Sequence, residues 1–354
     1  MTIDGQDGQR PVLLAIDGNS LVHRSYHSQA STGLRSAAGE PLWAVRGLLT
    51  QLVAAVERIA PIAVLVGFDD PERSLRRERW PSYKASRVEK LETLVCQLTA
   101  AAEALRELGL AVIVPAALEA DDVLASAARF GRRNGVETVI MTSDRDAFAL
   151  IDEHTRVLRI INGGVEASPM LTPERFQTMQ GIRPDQYRDL AALRGDPSDN
   201  LPGVRGFGPK TAARLLAELG SVEAALADLA AGGDRVVAAI GPALAARLAE
   251  PAAQAAWRLN CQVMTMHDDL ELCLELAAGP GVLPLAVEAV RSVYAAHRLT
   301  WTAAAALRVL AHHDGPPPPP PPEQHWQSEH DWPRSRRLPR LEGPKPKVDQ
   351  LSLF

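Results

Sequence analysis

Four short runs of apolar and β-branched residues are spaced along the first half of the chain: VLLAID (12–17), IAVLVGFD (62–69), LAVIVP (110–115) and ETVIMTSD (137–144). Between them lie longer stretches rich in Ala, Leu, Glu and Arg, with helical character. Strands that alternate with helices line up as a mostly parallel sheet with the helices on its faces, so the expected fold class is α/β. In such a sheet ligands bind beyond the carboxyl ends of the strands, which makes the residues that close each run the first place to look for chemistry.

Along the chain the organisation changes three times. Residues 1–10 are polar and Gly-rich and are expected to be disordered. Residues 11–171 carry the alternating pattern. From 172 to 260 the β-branched runs disappear and helical stretches are joined by Gly/Pro turns. Residues 261–311 return to the core, with a strand-like segment at Leu270–Leu276 followed by helices. At His312 the composition shifts again. Seven prolines run from Pro316 to Pro322, and the last 40 of the 354 residues hold 11 of the 27 prolines, which is the composition of an extended, disordered tail (312–354).

Charge and cysteine content exclude several classes. With 43 acidic and 38 basic residues the net charge is −5, so the chain does not hold nucleic acid by overall charge. The three cysteines, Cys96, Cys261 and Cys273, have no C-x-x-C spacing and predict neither a zinc knuckle nor a disulfide framework. The longest early apolar run, Val12–Ile16, is too short for a signal peptide or a membrane span, so a cytoplasmic protein is expected.

Three of the four β-runs end in aspartate: Asp17, Asp69 with Asp70, and Asp144 with Asp146. A fourth acidic group, Glu119-Ala120-Asp121-Asp122, follows the run at 110–115, and a fifth pair, Asp196 and Asp199, lies in GDPSDN. A lone aspartate in such places is a turn former or a helix N-cap, which is the reading for Asp70 and Asp152. Several carboxylates around one crevice repel each other unless cations compensate. Hard divalent ions, Mg²⁺ or Mn²⁺, suit such oxygen ligands, and two or more of them suit phosphodiester cleavage.

Residues 72–90 carry seven Lys or Arg against three Glu, with Trp80 and Tyr83 interleaved. Cations neutralise phosphates and aromatics stack on exposed bases, and this segment follows directly on the Asp69 strand end. Further on, LPGVRGFGPKT (201–211) leads into the helical run AARLLAEL. Pro209 separates Gly208 from Lys210, which excludes a Walker A loop. The close-set glycines and a proline at the first helical turn instead suit a hairpin that grips a duplex backbone with its amides.

Together, EADDVLAS (119–126), TSDRD (142–146), GDPSDNLPGVRGFGPKTA (195–212) and YKASR (83–87) resemble the 5′→3′ exonuclease domain of bacterial DNA polymerase I and the wider flap endonuclease family. The resemblance spans about residues 11–310. It implies a PIN-like nuclease core (11–171) and a helix–three-turn–helix, or helix-hairpin-helix-like, DNA-binding region (172–260). It also implies divalent-metal hydrolysis of 5′ flaps and 5′ ends of DNA or RNA–DNA primer junctions. Carried over by motif, the metal-site carboxylates would be Asp17, Asp69, Glu119, Asp121, Asp122, Asp144, Asp146, Asp196 and Asp199, some acting through water. Arg76, Lys84 and Arg87 would be the catalytic cations at the scissile phosphate, and Tyr83 would stack on the terminal base. Gly203, Gly206 and Gly208, with Lys210 and Thr211, would bind the duplex, and K⁺ would sit on that turn. Arg24-Ser25-Tyr26-His27 departs from the family's Phe-rich wall. No polymerase or proofreading segment follows, so the expected form is stand-alone and monomeric, with no membrane partner and a nucleoid location.

The final residues, Gln350-Leu351-Ser352-Leu353-Phe354, resemble the peptide by which bacterial replication proteins bind the sliding clamp. Leu353 and Phe354 would fill an apolar pocket, Leu351 would pack beside them and Gln350 would fix orientation. Two other functions share parts of this pattern: a PIN-type ribonuclease, and a non-catalytic DNA-junction binder or clamp adaptor.

Overall fold

The computed structural model describes residues 10–36, 39–87 and 89–314. The expectations for residues 1–9 and for the tail, including Gln350, Leu351, Leu353 and Phe354, lie outside the described residues.

The elements run in the order β1 (Val12–Asp17), α1 (Gly18–Gln29), α2 (Trp43–Ile59), β2 (Ala63–Gly67), α3 (Leu75–Arg79), α4 (Glu92–Glu107), β3 (Ala111–Ile113), α5 (Ala120–Asn134), β4 (Glu137–Thr142), β5 (Thr155–Arg159), α6 (Gly164–Ala167) and β6 (Met170–Leu171). A helical section follows: α7 (Pro173–Gln180), α8 (Tyr187–Arg194), the short strands β7 (Gly195–Asp196) and β8 (Leu201–Pro202), α9 (Pro209–Leu219), α10 (Val222–Ala230), α11 (Asp234–Ile240), α12 (Pro242–Ala249) and α13 (Pro251–Val263). Two last helices, α14 (Val287–Ala296) and α15 (Thr300–Leu310), close the described chain.

The main sheet has the order β3-β2-β1-β4-β5-β6, with only the β5–β6 pair antiparallel. This is the parallel sheet expected from the alternating runs. Strand alternation sends successive side chains to opposite faces. Leu13, Ala15, Leu65, Ile140 and Val157 pack on one face with α5 and with Leu190, Leu193, Leu215 and Leu216 of the helical section. Leu14, Ile16, Val64, Val66, Val139 and Met141 pack on the other with α1, α2, α4, α14 and α15. There Tyr294, fully buried, donates its hydroxyl to the Leu49 carbonyl at 3.0 Å. Complete burial on both faces explains why these strands read as continuous apolar runs.

The segment Leu270–Leu276 departs from expectation. Leu272 and Leu274 are buried and their odd-numbered neighbours exposed, yet the segment forms no strand. It lies along α5, where the Leu270 amide donates to Ser126 Oγ at 3.1 Å. The period-two pattern therefore records one-sided burial against a helix and no ladder.

Strand order reverses at β1, which is flanked by β2 and β4. Here the connections leave the sheet in opposite directions and open a crevice at the carboxyl ends.

A candidate metal and nucleic-acid site at the carboxyl ends of the strands

Asp17 closes β1 and caps α1, accepting from the Ser20 amide at 2.8 Å and from Thr142 Oγ1 at 2.7 Å. Asp69 follows β2 and accepts from the Ala120 amide at 2.9 Å and from Asn19 Nδ2 at 2.8 Å. Asp121 lies in the first turn of α5. Asp144 and Asp146 follow β4, and Asp199 reaches in from the helical section. All six line one open cavity of about 590 Å³, together with Asn19, Ser20, His23, Ser143, Lys84 and Arg87. Asp144, Asp146 and Asp199 also line an adjoining groove with Asp196, Arg145 and Arg194. Carboxylates that are 100 or more residues apart in sequence thus meet because parallel strands end at one edge.

Burial pushes the Asp17 carboxyl up to about 7, with Asp144 and Asp69 adding repulsion. Burial and then the charges of Asp144, Asp196 and Asp199 likewise raise Asp146 to about 7. Asp121 is raised by burial and by Asp144, Asp17 and Asp146. Of the cations lining this cavity, Lys84 Nζ pairs with Glu119 at 3.0 Å and Arg87 with Asp199. Three carboxyls held above their usual range, offering hard oxygen donors in one cavity, suit a divalent ion. Among the described residues no three such side chains converge on one point at coordinating range. The fit is therefore one of donor chemistry, with room for water in the ligand shell.

Residues 72–87 form a strap across the crevice. The short helix α3 is capped by Ser74 Oγ, and the chain then turns at Lys84, whose φ is +55°. Burial pulls the Lys84 ammonium down, but Glu119, joined by Asp199 and Asp69, holds it above its ordinary value. The strap is fastened to the helical section: the Lys84 amide donates to the Asp199 carbonyl at 2.9 Å, and Asn200 Nδ2 donates to the Ser82 carbonyl at 2.8 Å. Across the crevice His23 stays neutral, lowered to about 4 by burial and by Lys90, His27 and Arg87.

Between α8 and α9 the chain makes the β7–β8 hairpin and a glycine-rich turn. Val204 and Phe207 are buried and pin this turn to the helical core. Buried Asn260 holds it from behind, donating to the Ala192 and Pro202 carbonyls, both at 2.9 Å. Lys210 is exposed at the first turn of α9, after Pro209, where the free amides of a helix N-terminus suit a phosphate.

Two family models match the chain in tandem: the 5′-3′ exonuclease N-terminal resolvase-like domain over residues 12–181, and the 5′-3′ exonuclease C-terminal SAM fold over residues 182–281. The chain belongs to the 5′→3′ exonuclease family. Among curated members, it is 36% identical over 244 residues to DNA polymerase I of Mycobacterium tuberculosis, a match that covers 69% of this chain and 26% of the polymerase. It is 37% identical over 276 residues to the thermostable DNA polymerase I of Thermus aquaticus, covering 78% of this chain and 29% of that one. The chain thus spans under a third of the length of these relatives. The fold is that of a solved T5 5′-exonuclease with zinc, at a TM-score of 0.59 and 17% identity, covering 84% of this chain and 99% of that one.

Within this family fold, several residues stand apart from the roles expected of them. Arg76 does not reach the crevice. Its guanidinium, 6% exposed, grips Asp122 through Nη1–Oδ2 at 2.8 Å and Nη2–Oδ1 at 2.6 Å, and also donates to the Val263 and Thr265 carbonyls. Asp122 is therefore an ion-pair partner and not an open ligand. It also accepts from the Glu119 and His267 amides, and Arg76 holds its carboxyl below the usual range against the opposing effect of burial. Glu119 is enclosed by Arg76, Lys84 and the Tyr83 hydroxyl, and lines an adjoining cavity that shares Asp69, Lys84 and Arg87 with the crevice. Tyr83 is itself buried against Leu201 and Val263, so its ring has no face free for a base. Asp196 caps the turn that follows it through the Ser198 amide at 2.8 Å, while lining the adjoining groove.

The three glycines of the turn differ as well. A Cβ at Gly203 would collide with the Arg194 carbonyl, and one at Gly206, where φ is +89°, would lie 2.9 Å from Leu244. A Cβ at Gly208 would meet open space. Asp70 and Asp152 are turn formers as expected, accepting from the Glu72 and His154 amides respectively. Asn19, Ser20, His23 and Thr142 are site residues that residue types and spacing alone did not single out. The signal for Asn19 and Ser20 was adjacency to Asp17 at the start of α1.

Proposed function

We propose that this chain is a divalent-metal-dependent 5′→3′ exonuclease and 5′-flap endonuclease acting on DNA. The observation that carries this reading is the junction of three parts in one place: a carboxylate crevice, a cationic strap beside it, and, fastened to that strap through Asp199 and Asn200, the hairpin that leads into the glycine-rich turn. The family's curated relatives are DNA polymerases I, consistent with work on DNA ends.

Asp17, Asp69, Asp121, Asp144, Asp146 and Asp199, with Asp196 from the adjoining groove, would hold the ions. A divalent ion held there supplies Lewis-acid activation of water and neutralises charge at the phosphate. Thr142 and Ser20 hold the Asp17 carboxylate in place, and Asn19 and the Ala120 amide hold that of Asp69. Lys84 and Arg87 present positive charge to the transferring phosphate as it becomes more anionic. Gly206, Gly208, Lys210 and Thr211 would take the duplex backbone. Mg²⁺ or Mn²⁺ as the ions, K⁺ on the glycine-rich turn, RNA–DNA primer junctions as further substrates and action as a monomer belong to the same proposal.

The test is cleavage of a labelled 5′-flap DNA with and without Mg²⁺, beside single-stranded RNA as a competitor substrate. Mg²⁺-dependent flap cutting that disappears in the Asp121→Asn/Asp144→Asn double variant supports the reading. Full activity of that variant, or preference for the RNA, overturns it. The sequence at 350–354 carries a second part of the proposal, docking to a bacterial sliding clamp. A peptide of residues 345–354 should bind the clamp at micromolar order and lose binding on Leu353→Ala and Phe354→Ala. Equal binding after both changes would remove the clamp from the proposal.

A further inference from the structure

The wall of the crevice contains one side chain that is neither acidic nor basic and yet makes a two-point contact with a carboxylate residue. Asn19 lies in the first turn of α1, and its amide closes a ring with Asp69. The Asp69 backbone amide donates to Asn19 Oδ1 at 3.0 Å, and Asn19 Nδ2 donates to Asp69 Oδ2 at 2.8 Å. The other carboxylate oxygen, Oδ1, takes the Ala120 amide at 2.9 Å. Each oxygen is thus engaged once by a fixed N–H, which leaves further lone pairs while Asp69 lines the crevice.

The reach of Asn19 depends on its neighbour. Gly18 lets α1 start against the ring of Phe68, the residue before Asp69; a Cβ at Gly18 would lie 2.5 Å from Phe68 Cζ. Without that close approach the first turn of α1 would stand off from the end of β2, and a side chain as short as asparagine would not span the gap. Asn19 therefore joins the ends of β1 and β2, while the Ala120 amide joins Asp69 to α5 and its Asp121.

We propose that Asn19 is a positioning residue that fixes the Asp69 carboxylate for divalent-ion binding. This rests on the assignment of Asp69 to the metal site. Both of its hydrogen-bonding functions are needed: a carboxylate at 19 would accept from the Asp69 amide but could not donate to Oδ2, and would add repulsion. Outer partners of metal-ligating carboxylates commonly set ion affinity by tenfold or more.

The test uses the full chain without DNA and measures Mn²⁺ binding by calorimetry for the wild type, Asn19→Ala, Asn19→Ser, Asn19→Asp and Asp69→Asn. Thermal midpoints are recorded in chelator. Mn²⁺ affinity should fall about tenfold in Asn19→Ala and Asn19→Ser, and further in Asn19→Asp. Midpoints should stay within a few degrees of wild type, and cleavage by the Ala and Ser variants should recover at high Mg²⁺. Should Asn19→Ala fail to fold, the serine variant, which is compatible with a helix first turn, decides alone. Wild-type affinity in a folded Asn19→Ser, or a loss of affinity that merely follows a loss of fold across the variants, overturns the inference. If Asp69→Asn also binds Mn²⁺ as wild type does, the assignment of Asp69 has failed; if only the Asn19 variants do, the fault lies with Asn19 alone.

Discussion

Arg76 and Asp122 face each other in a two-pronged ion pair, at 2.6 and 2.8 Å, with the aspartate fully buried and the guanidinium nearly so. The pair joins α3 to the first turn of α5, and Arg76 goes on to the carbonyls at the end of α13. Removing one partner would strand a buried charge. Arg76→Ala or Asp122→Ala should each cost about 3–5 kcal/mol in chemical denaturation. An Arg76→Met/Asp122→Leu double variant should lose less than the two single changes together. A loss under about 1 kcal/mol for either single variant would show that the pair is not a structural keystone.

The glycine-rich turn gives a sharp contrast between two similar substitutions. Gly203→Ala places a methyl group on the Arg194 carbonyl and should destabilise the fold by more than about 1–3 kcal/mol, since backbone cannot move aside as a side chain does. Gly208→Ala, with open space at its Cβ, should melt as wild type does yet bind duplex DNA more weakly by fluorescence anisotropy. Unchanged DNA affinity in Gly208→Ala would argue against a phosphate close to that backbone.

Proton and metal binding should compete in the crevice. A carboxyl raised from 3.8 to about 7 on folding, as Asp17 and Asp146 are, takes up a proton in the folded state across that interval. Metal-free stability therefore falls as pH rises through the window and is greater at its acid end. His23, lowered to about 4, acts in the opposite sense below its ordinary 6.5, because the unfolded chain takes the proton first. Thermal midpoints in chelator should rise as pH falls from 8 towards about 5, less steeply below about 6.5 than the two carboxyls alone would give because His23 opposes them there, and Asp146→Asn should flatten the rise. Added Mg²⁺ should stabilise more at pH 8 than at pH 6. A midpoint that climbs steadily with pH would contradict this arrangement of charges.

Lys84 should act as a fixed cation and not as a proton acceptor, because Glu119, Asp199 and Asp69 together hold its ammonium above the ordinary lysine range against the pull of burial. Lys84→Ala should slow flap cleavage about 100-fold at saturating substrate with little change in DNA affinity. The wild-type rate profile should show no limb assignable to this lysine below pH 10. Retention of full rate in Lys84→Ala would move the cationic role to Arg87.

Much of this was legible in the residues. The strand-end aspartates are legible because a parallel sheet sends every strand end to one edge, and the β-runs that carry them are buried on both faces. What residue types did not separate was Asp121 from Asp122. Consecutive positions on a helix differ by about 100°, so two adjacent aspartates at the start of α5 cannot share a direction, and the choice between them was made by Arg76, 46 residues away. Tyr83, set among basic neighbours, reads as a stacking ring; its burial depends on Leu201 and Val263, which reach it only through the tertiary fold. At Leu270–Leu276 the alternation was real but its partner was a helix.

The fastening of the strap has a consequence for how such a chain could be divided or recombined. The two family models meet between residues 181 and 182, yet the backbone amide of Lys84 is held by Asp199 and the carbonyl of Ser82 by Asn200. The sequence boundary thus does not coincide with a mechanical one. A fragment ending at 181 would keep its strand-end aspartates but lose the anchor that orients its lysine. Swapping the downstream segment for a distant relative's would be tolerated only where the new segment brought its own acceptor for that amide. Inheritance of the two segments as one unit is what this latch demands.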